Sequence, residues 1–179
     1  MPVQIGAKTH DFSDPTGLLS DCHRRIELFL GSLERVAEVI ERPLAKEAHA
    51  ALEAALRYFQ EAAPKHTADE EESLFPRLRQ IHDPYVEDAL STLNALEHEH
   101  RRADGLHAEV HALGVQCLEQ GRLPVAEAER FRQAVSKLVS IYAEHIRIED
   151  EVVFPAAKRA LSAPEKSAIA YEMALRRKT

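Results

Sequence analysis

The stretch His66-Thr67-Ala68-Asp69-Glu70-Glu71-Glu72-Ser73-Leu74-Phe75-Pro76 returns 79 residues later as His145-Ile146-Arg147-Ile148-Glu149-Asp150-Glu151-Val152-Val153-Phe154-Pro155. Both copies read H-x-x-x-E-[DE]-E-x-x-F-P. On an α-helix, a four-residue step comes back to the same face, ~40° round and one turn along. His66 therefore projects with Glu70, and His145 with Glu149. Glu71, Glu72, Asp150 and Glu151 are rotated away, and the acidic run Glu71-Glu72 reads as a solvated face. The two F-P pairs read as packing and helix-end features.

The flanking sequence is helical as well. Strand-like alternation is absent, and apolar residues recur at three- and four-residue steps. Asp14-Pro15 reads as an N-cap with proline in the first turn, opening a stripe of Leu19, Ile26, Leu30, Leu33, Ala37 and Ile40 that Arg42-Pro43 ends. A second stripe runs Leu52, Ala55, Phe59 and Ala62 toward Leu74, with Pro64 predicting a kink. After the break at His82-Asp83-Pro84, a third stripe takes in Leu93, Leu96, Ala103, Val110 and Gly114. Gly121 and Pro124 precede a fourth, with Phe131, Ala134, Leu138, Ile141, Ile148 and Val152. Ser162-Ala163-Pro164-Glu165 reads as a capping box for a last short helix. Four long helices joined by short breaks predict an all-α, up-down-up-down four-helix bundle. The expected organisation is a single domain over 1–179, with an N-terminal arm at 1–14, the bundle at 15–161 and a C-terminal helix at 162–179.

The first and third helices repeat more loosely. Leu19-Ser20-Asp21-Cys22-His23-Arg24-Arg25 aligns with Leu96-Glu97-His98-Glu99-His100-Arg101-Arg102 at an offset of 77. The chain thus reads as one helical hairpin used twice. His23, His66, His100 and His145 each fall on the apolar stripe of a different helix, and Glu70 and Glu149 follow one turn along. Imidazoles and carboxylates in a core are costly unless satisfied. Six such groups exceed the needs of one tetrahedral zinc, whereas mixed nitrogen and carboxylate donors suit iron or manganese, two of which carboxylates can bridge. Glu27 and Asp104 each follow a histidine by four, and His107 lies two turns past His100. These three are candidates for extra ligands or for partners that orient an imidazole. His10, His49 and His82 read as surface, and Cys22 as a buried thiol pointing away from the site.

Composition sets the outer limits. The 179 residues are 45% hydrophobic and 30% charged, with a net charge of −7 and two cysteines. That balance argues against nucleic acid or an anionic membrane as partner. Two cysteines make no disulfide framework. No signal peptide is expected at the start, no run approaches the ~20 apolar residues of a membrane span, and a cytoplasmic location is expected.

The two motif copies, with His23 and Glu99-His100, resemble the hemerythrin-like, HHE cation-binding domain proteins over about residues 15 to 160. The resemblance implies that His23, His66, Glu70, His100, His145 and Glu149 hold two non-haem iron ions, carboxylate- and oxo-bridged, with Glu70 and Glu149 as the bridging carboxylates. Other divalent metals are an alternative. It implies a small oxidant such as O2, NO or peroxide as ligand, or iron itself as the thing sensed, together with a redox partner that the sequence does not identify. A homodimer is compatible with it. The sequence departs from the oxygen carriers of that family. Asp104 stands where they have a fifth histidine, and Glu149 lies four residues after His145 where they have an aspartate five after. The six-residue set is more similar to bacterial iron-centre repair proteins and to the eukaryotic iron-sensing hemerythrin domain. Two other functions are carried forward: a di-iron enzyme or iron donor in oxidative or nitrosative stress repair, and a metal-free interaction module. Ferritin-like bundles need Glu-x-x-His on two helices, and only Glu97-x-x-His100 matches.

Overall fold

The computed structural model describes residues 10–178, and every regular element among them is helical. Four rods pack in a ring. The first is α1 (Pro15–Ala37). The second is segmented: α2 (Lys46–Glu61), α3 (Ala63–Ala68), a π-helical turn at Asp69–Leu74, and α4 (Phe75–Leu78). The third is the long α5 (Glu87–Gln120), entered through a 3-10 turn at Pro84–Val86. The fourth runs α6 (Val125–Ile148), a second π turn at Glu149–Val153, and α7 (Phe154–Ala160). A last helix, α8 (Ala163–Arg176), folds back on the bundle. Packing contacts join α1 to α2, α2 to α5, α5 to α6 and α6 to α1. That neighbour order, with short connections, is the up-down-up-down arrangement.

Local chemistry sets the boundaries. Asp14 caps α1 by accepting the Gly17 N–H at 3.0 Å. Asp83 does the same for Tyr85 at 2.9 Å. Ser162 and Glu165 form the reciprocal capping box. α5 ends where Gly121 takes φ +79°, a left-handed conformation that a side chain disfavours. The expected kink at Pro64 is an interruption at Ala62, because proline cannot donate to the ladder. α1 stops at Ala37, short of the expected Ile40. The chain past it continues as turns, the Ala37 carbonyl accepts from Arg132, and the Ile40 carbonyl accepts from the Leu123 N–H at 2.8 Å. Residues 1–9 of the expected arm lie outside the described residues. At its end, His10 donates its N–H to Asp21 at 2.8 Å.

The π turns have a cause that is visible in the motif. Pro76 and Pro155 have no N–H, and each ring crowds the carbonyl four residues earlier. The turn before each proline widens, and Phe75 and Phe154 donate five residues back, to the carbonyls of Glu70 and Glu149. The widened turns thus begin at or next to the two motif carboxylates.

The buried side chains form two apolar clusters. One includes Ile26, Leu33, Phe59, Ala63, Ala103, Phe131, Leu138 and Tyr142. The other includes Leu18, Leu19, Leu74, Phe75, Leu93, Leu96, Val153 and Phe154. Along each rod, the site histidine lies between a residue of one cluster and a residue of the other. A polar layer is therefore sandwiched between two apolar ones, and each large side chain buried there stabilises the fold by ~1.5–3 kcal/mol.

Candidate metal centre

The polar layer holds His23, His66, Glu70, His100, His145 and Glu149, all buried, with both glutamates at 0% exposure. One atom from each of His23, His66, Glu70 and Glu149 falls within 4.8 Å of the others, and the same holds for Glu70, His100, His145 and Glu149. The two groups share both carboxylates. The first takes its histidines from the first two rods, and the second takes its histidines from the last two. The hairpin repeat in the sequence is thus a repeat of candidate ligand groups in space.

The four imidazoles are turned the same way about the centre. His23 Nε2 lies 3.0 Å from Glu149 and 3.8 Å from Glu70. His66 Nε2 is 3.1 Å from Glu70, His100 Nε2 is 3.5 Å from Glu70, and His145 Nε2 is 3.2 Å from Glu149. These are close approaches without hydrogen-bond alignment. Both oxygens of Glu70 and of Glu149, with Nε2 of His23 and of His145, are buried and make no hydrogen bond among the described residues. Buried polar atoms without partners are rare, and six converging on one point fit a bound cation. Their chemistry, imidazole nitrogen with shared carboxylate oxygen, fits a pair of first-row transition ions better than a single tetrahedral zinc.

The outer nitrogens reveal residues that sequence reasoning missed. His23 Nδ1 is 2.9 Å from Asp150, His100 Nδ1 is 2.7 Å from Glu71, and His145 Nδ1 is 3.0 Å from Glu99. Such contacts set the tautomer and fix the ring plane. Asp150 is itself held by Ser20 at 2.8 Å and by Arg24. The expectation that Glu71 faces solvent and Asp150 turns away is therefore corrected. A residue ~100° round from the core direction faces the neighbouring rod in a bundle, not water. Glu72 does lie at the surface, bonded to Arg176 at 3.0 Å.

His66 is the exception, with Nδ1 buried and without a partner among the described residues. In the second hairpin, Glu99 precedes His100 and supports His145. Cys22 stands at the equivalent place in the first, and its sulfur accepts from Arg25 at 3.0 Å.

Two of the three auxiliary candidates are also corrected. Glu27 pairs with Arg24 at 3.0 Å near the surface, and Asp104 is exposed. Both stand one turn after a histidine, as Glu70 and Glu149 do, but on uninterrupted stretches of α1 and α5 rather than at a π turn. His107 is nearer the centre. Its Nε2 is 3.0 Å from the Tyr142 hydroxyl, and the Tyr142 ring packs on that of His145 with centroids 6.2 Å apart.

Electrostatics follow from the crowding. Burial would depress His23, but Asp150, Glu149 and Glu70 raise it well above the ordinary histidine value. Burial and the charge of His23 push His66 well below it. Burial also opposes protonation of His145, yet Glu149 and Glu70 lift it to about 9. Of the two carboxyls, Glu70 is raised to about 8 by burial and by Glu149. Glu149 goes down despite burial, because His145 and His23 face it. Without metal, the pocket balances its charge by holding protons. Bound cations would take their place.

One further buried acid carries no signal in the motif. Asp69 is fully buried and pairs with Arg176 at 2.9 Å and Arg177 at 2.6 Å, fastening α8 to the π turn that carries Glu70.

Comparison with known proteins agrees with this geometry. The profile of the hemerythrin HHE cation binding domain matches residues 14–165. A Haemophilus influenzae protein described only as uncharacterized is 26% identical over 167 residues, covering 93% of this chain and 91% of its own. No solved structure matches the chain.

Proposed function

The chain belongs to the hemerythrin HHE cation-binding domain family, and on that premise we propose that it is a non-haem di-iron protein. It binds a small oxidant such as O2, NO or peroxide, or senses iron through loading of the centre. His23 and His66 would hold one ion and His100 and His145 the other, with Glu70 and Glu149 available to both. The observation that carries this reading is the pair of four-residue groups overlapping in two carboxylates. When bound, such ions supply Lewis acidity and one-electron redox chemistry toward a small ligand.

The chain's own residues do the rest. Asp150, Glu71 and Glu99 hold three imidazoles in register. The Phe154 ring stacks on His23 at 5.2 Å and keeps it from turning. The apolar layers on either side exclude water. Of the three side chains that could deliver a proton for turnover, Glu27 and Asp104 lie toward solvent, which favours binding or sensing over catalysis. A metal-free module would need the histidines to satisfy the glutamates, and the missing hydrogen-bond alignment disfavours it. Two buried free cysteines suit a reducing compartment, which supports reading the protein as cytoplasmic. No helix of the described residues is long and apolar enough to cross a membrane.

The test is an anaerobic absorption spectrum of the purified, iron-loaded protein before and after addition of O2 and of NO. The expected result is a new visible band with at least one of them, absent from the protein stripped of metal. Iron-loaded protein whose spectrum responds to neither ligand would leave iron sensing as the function. Protein that retains no iron at all overturns the di-iron reading.

A further inference from the structure

The chain has four tyrosines. Tyr85 and Tyr171 are exposed, and Tyr58 is half-buried. Tyr142 is buried on α6, three residues before His145. Its ring packs against that of His145, with centroids 6.2 Å apart and planes at 67°. Burial, and after it the charge of Glu70, raise the pKa of its hydroxyl, which therefore stays a phenol. A phenol is one of the few side chains that gives up a single electron at an accessible potential. Here it stands one ring away from a candidate metal ligand.

An electron leaves a buried phenol only if the proton leaves with it, because an uncompensated charge there is costly and the phenol cation is a strong acid. The acceptor is in place. Nε2 of His107 lies 3.0 Å from the Tyr142 hydroxyl, and the Phe59 ring stacks on the other ring, His107, with centroids 4.6 Å apart. If Nε2 carried the hydrogen, the Tyr142 O–H and Nδ1 of His107 would both lack partners among the described residues. If Tyr142 donates to Nε2, only Nδ1 lacks one. The second arrangement leaves fewer orphans and is preferred. Burial pushes the His107 pKa down to about 4, so the ring is neutral and its Nε2 lone pair can accept near neutral pH.

Resting on the di-iron reading, with peroxide as the oxidant, we infer that Tyr142 is a one-electron donor to the centre and that His107 is the base that takes its proton. Reduction of hydrogen peroxide to two waters consumes two electrons and two protons. A centre with two ferrous ions supplies both electrons. A centre with one ferrous and one ferric ion supplies one, and Tyr142 supplies the other. Its O–H bond breaks, the electron goes to the centre, and the proton goes to Nε2 of His107. A neutral tyrosine radical and an imidazolium remain, and solvent supplies the two protons that the waters need. Tyr142 touches His145 on one side and His107 on the other, so electron and proton leave it in different directions.

The experiment takes the full chain, loaded with iron and reduced by one electron per centre, and mixes it anaerobically with one equivalent of hydrogen peroxide. Samples are frozen for electron paramagnetic resonance, with iron quantified on each. A tyrosine radical is expected, identified by the narrowing of its signal in protein grown on ring-deuterated tyrosine. Tyr142→Phe keeps a ring on His145 and should abolish the signal at unchanged iron content. Should that variant fail to fold, replacing Tyr58, Tyr85 and Tyr171 together by phenylalanine makes the same assignment and should leave the signal intact. His107→Gln keeps a hydrogen-bond acceptor but no base, and should slow the radical's appearance by about 10²-fold. A further readout needs no metal: a proton–nitrogen correlation NMR spectrum of chelated protein should show His107 protonated on Nδ1. Iron-loaded wild type without a tyrosine radical, or a radical that survives Tyr142→Phe, overturns the inference and leaves the di-iron reading standing. A hydrogen on Nε2, or an unslowed radical in His107→Gln, overturns the role of His107. Protein that retains no iron overturns the di-iron reading and this inference with it.

Discussion

Three of the four inward histidines have an acid on Nδ1 and one does not, and this imbalance predicts unequal metal sites. In the group of Glu70, His100, His145 and Glu149, both imidazoles are supported, by Glu71 and Glu99. In the group of His23, His66, Glu70 and Glu149, Asp150 supports His23, and no described residue supports His66. Loss of one such orienting partner costs about 10–100-fold in metal affinity. The wild-type chain should therefore take up two ions in two steps separated by about 10–100-fold, or about 1.4–2.7 kcal/mol. Glu99→Ala removes the partner of His145 and leaves one supported imidazole in each group, so the two steps should merge to within about threefold. Asp150→Ala strips the weaker group of its last support and should widen the gap to about 10²–10⁴-fold. The assay is an anaerobic titration of metal-free protein with Co(II) against a competing chelator, followed by absorption. A separation that is the same in all three proteins, or that narrows in Asp150→Ala, refutes the reasoning.

Removal of metal should lower the melting temperature. At a thousandfold excess over Kd, a bound ion stabilises by about 4 kcal/mol, which for this size of domain is about 8–16 °C, read by calorimetry with and without chelator. The pH dependence of the metal-free protein should run downward at alkaline pH. Folded His145, at about 9, and Glu70, at about 8, bind protons more tightly than their unfolded counterparts at 6.5 and 4.5. Their contribution is full below the unfolded values and is lost as pH rises through the folded ones. The melting temperature of chelated protein should fall between pH 6.5 and 9.5, while metal affinity rises over the same window as the protons leave; a chelated protein that is more stable at pH 9.5 contradicts this. Replacing both Arg176 and Arg177 by alanine strands the fully buried Asp69. The expected cost is about 3–5 kcal/mol in urea unfolding, and restoring neutrality with Asp69→Asn in that background should recover part of it.

Much of this architecture is legible locally. The caps at Asp14, Asp83 and Ser162 depend on a few adjacent residues and form as their motifs specify. The six central side chains were legible because a four-residue step and an apolar stripe need only helical geometry. The outer partners were not. Asp150 reaches His23 across 127 positions, and Glu99 reaches His145 across 46. Each sits beside a central residue in sequence, but its direction has meaning only once the order of rods around the ring is known. The π turns were hidden for a related reason. The prolines of the F-P pairs mark a missing donor, but only the backbone shows that the turn widens instead of ending. Asp69 could be understood only with α8 in place, because its two arginines come from 107 and 108 residues away.

The two-ion centre is tested most directly by anomalous X-ray diffraction at the iron edge from crystals of iron-loaded protein, with metal quantitation on the same sample. Two peaks per chain are predicted, one against Nε2 of His23 and His66 and one against Nε2 of His100 and His145, with Glu70 and Glu149 touching both. A single peak, or two peaks away from these six side chains, contradicts it.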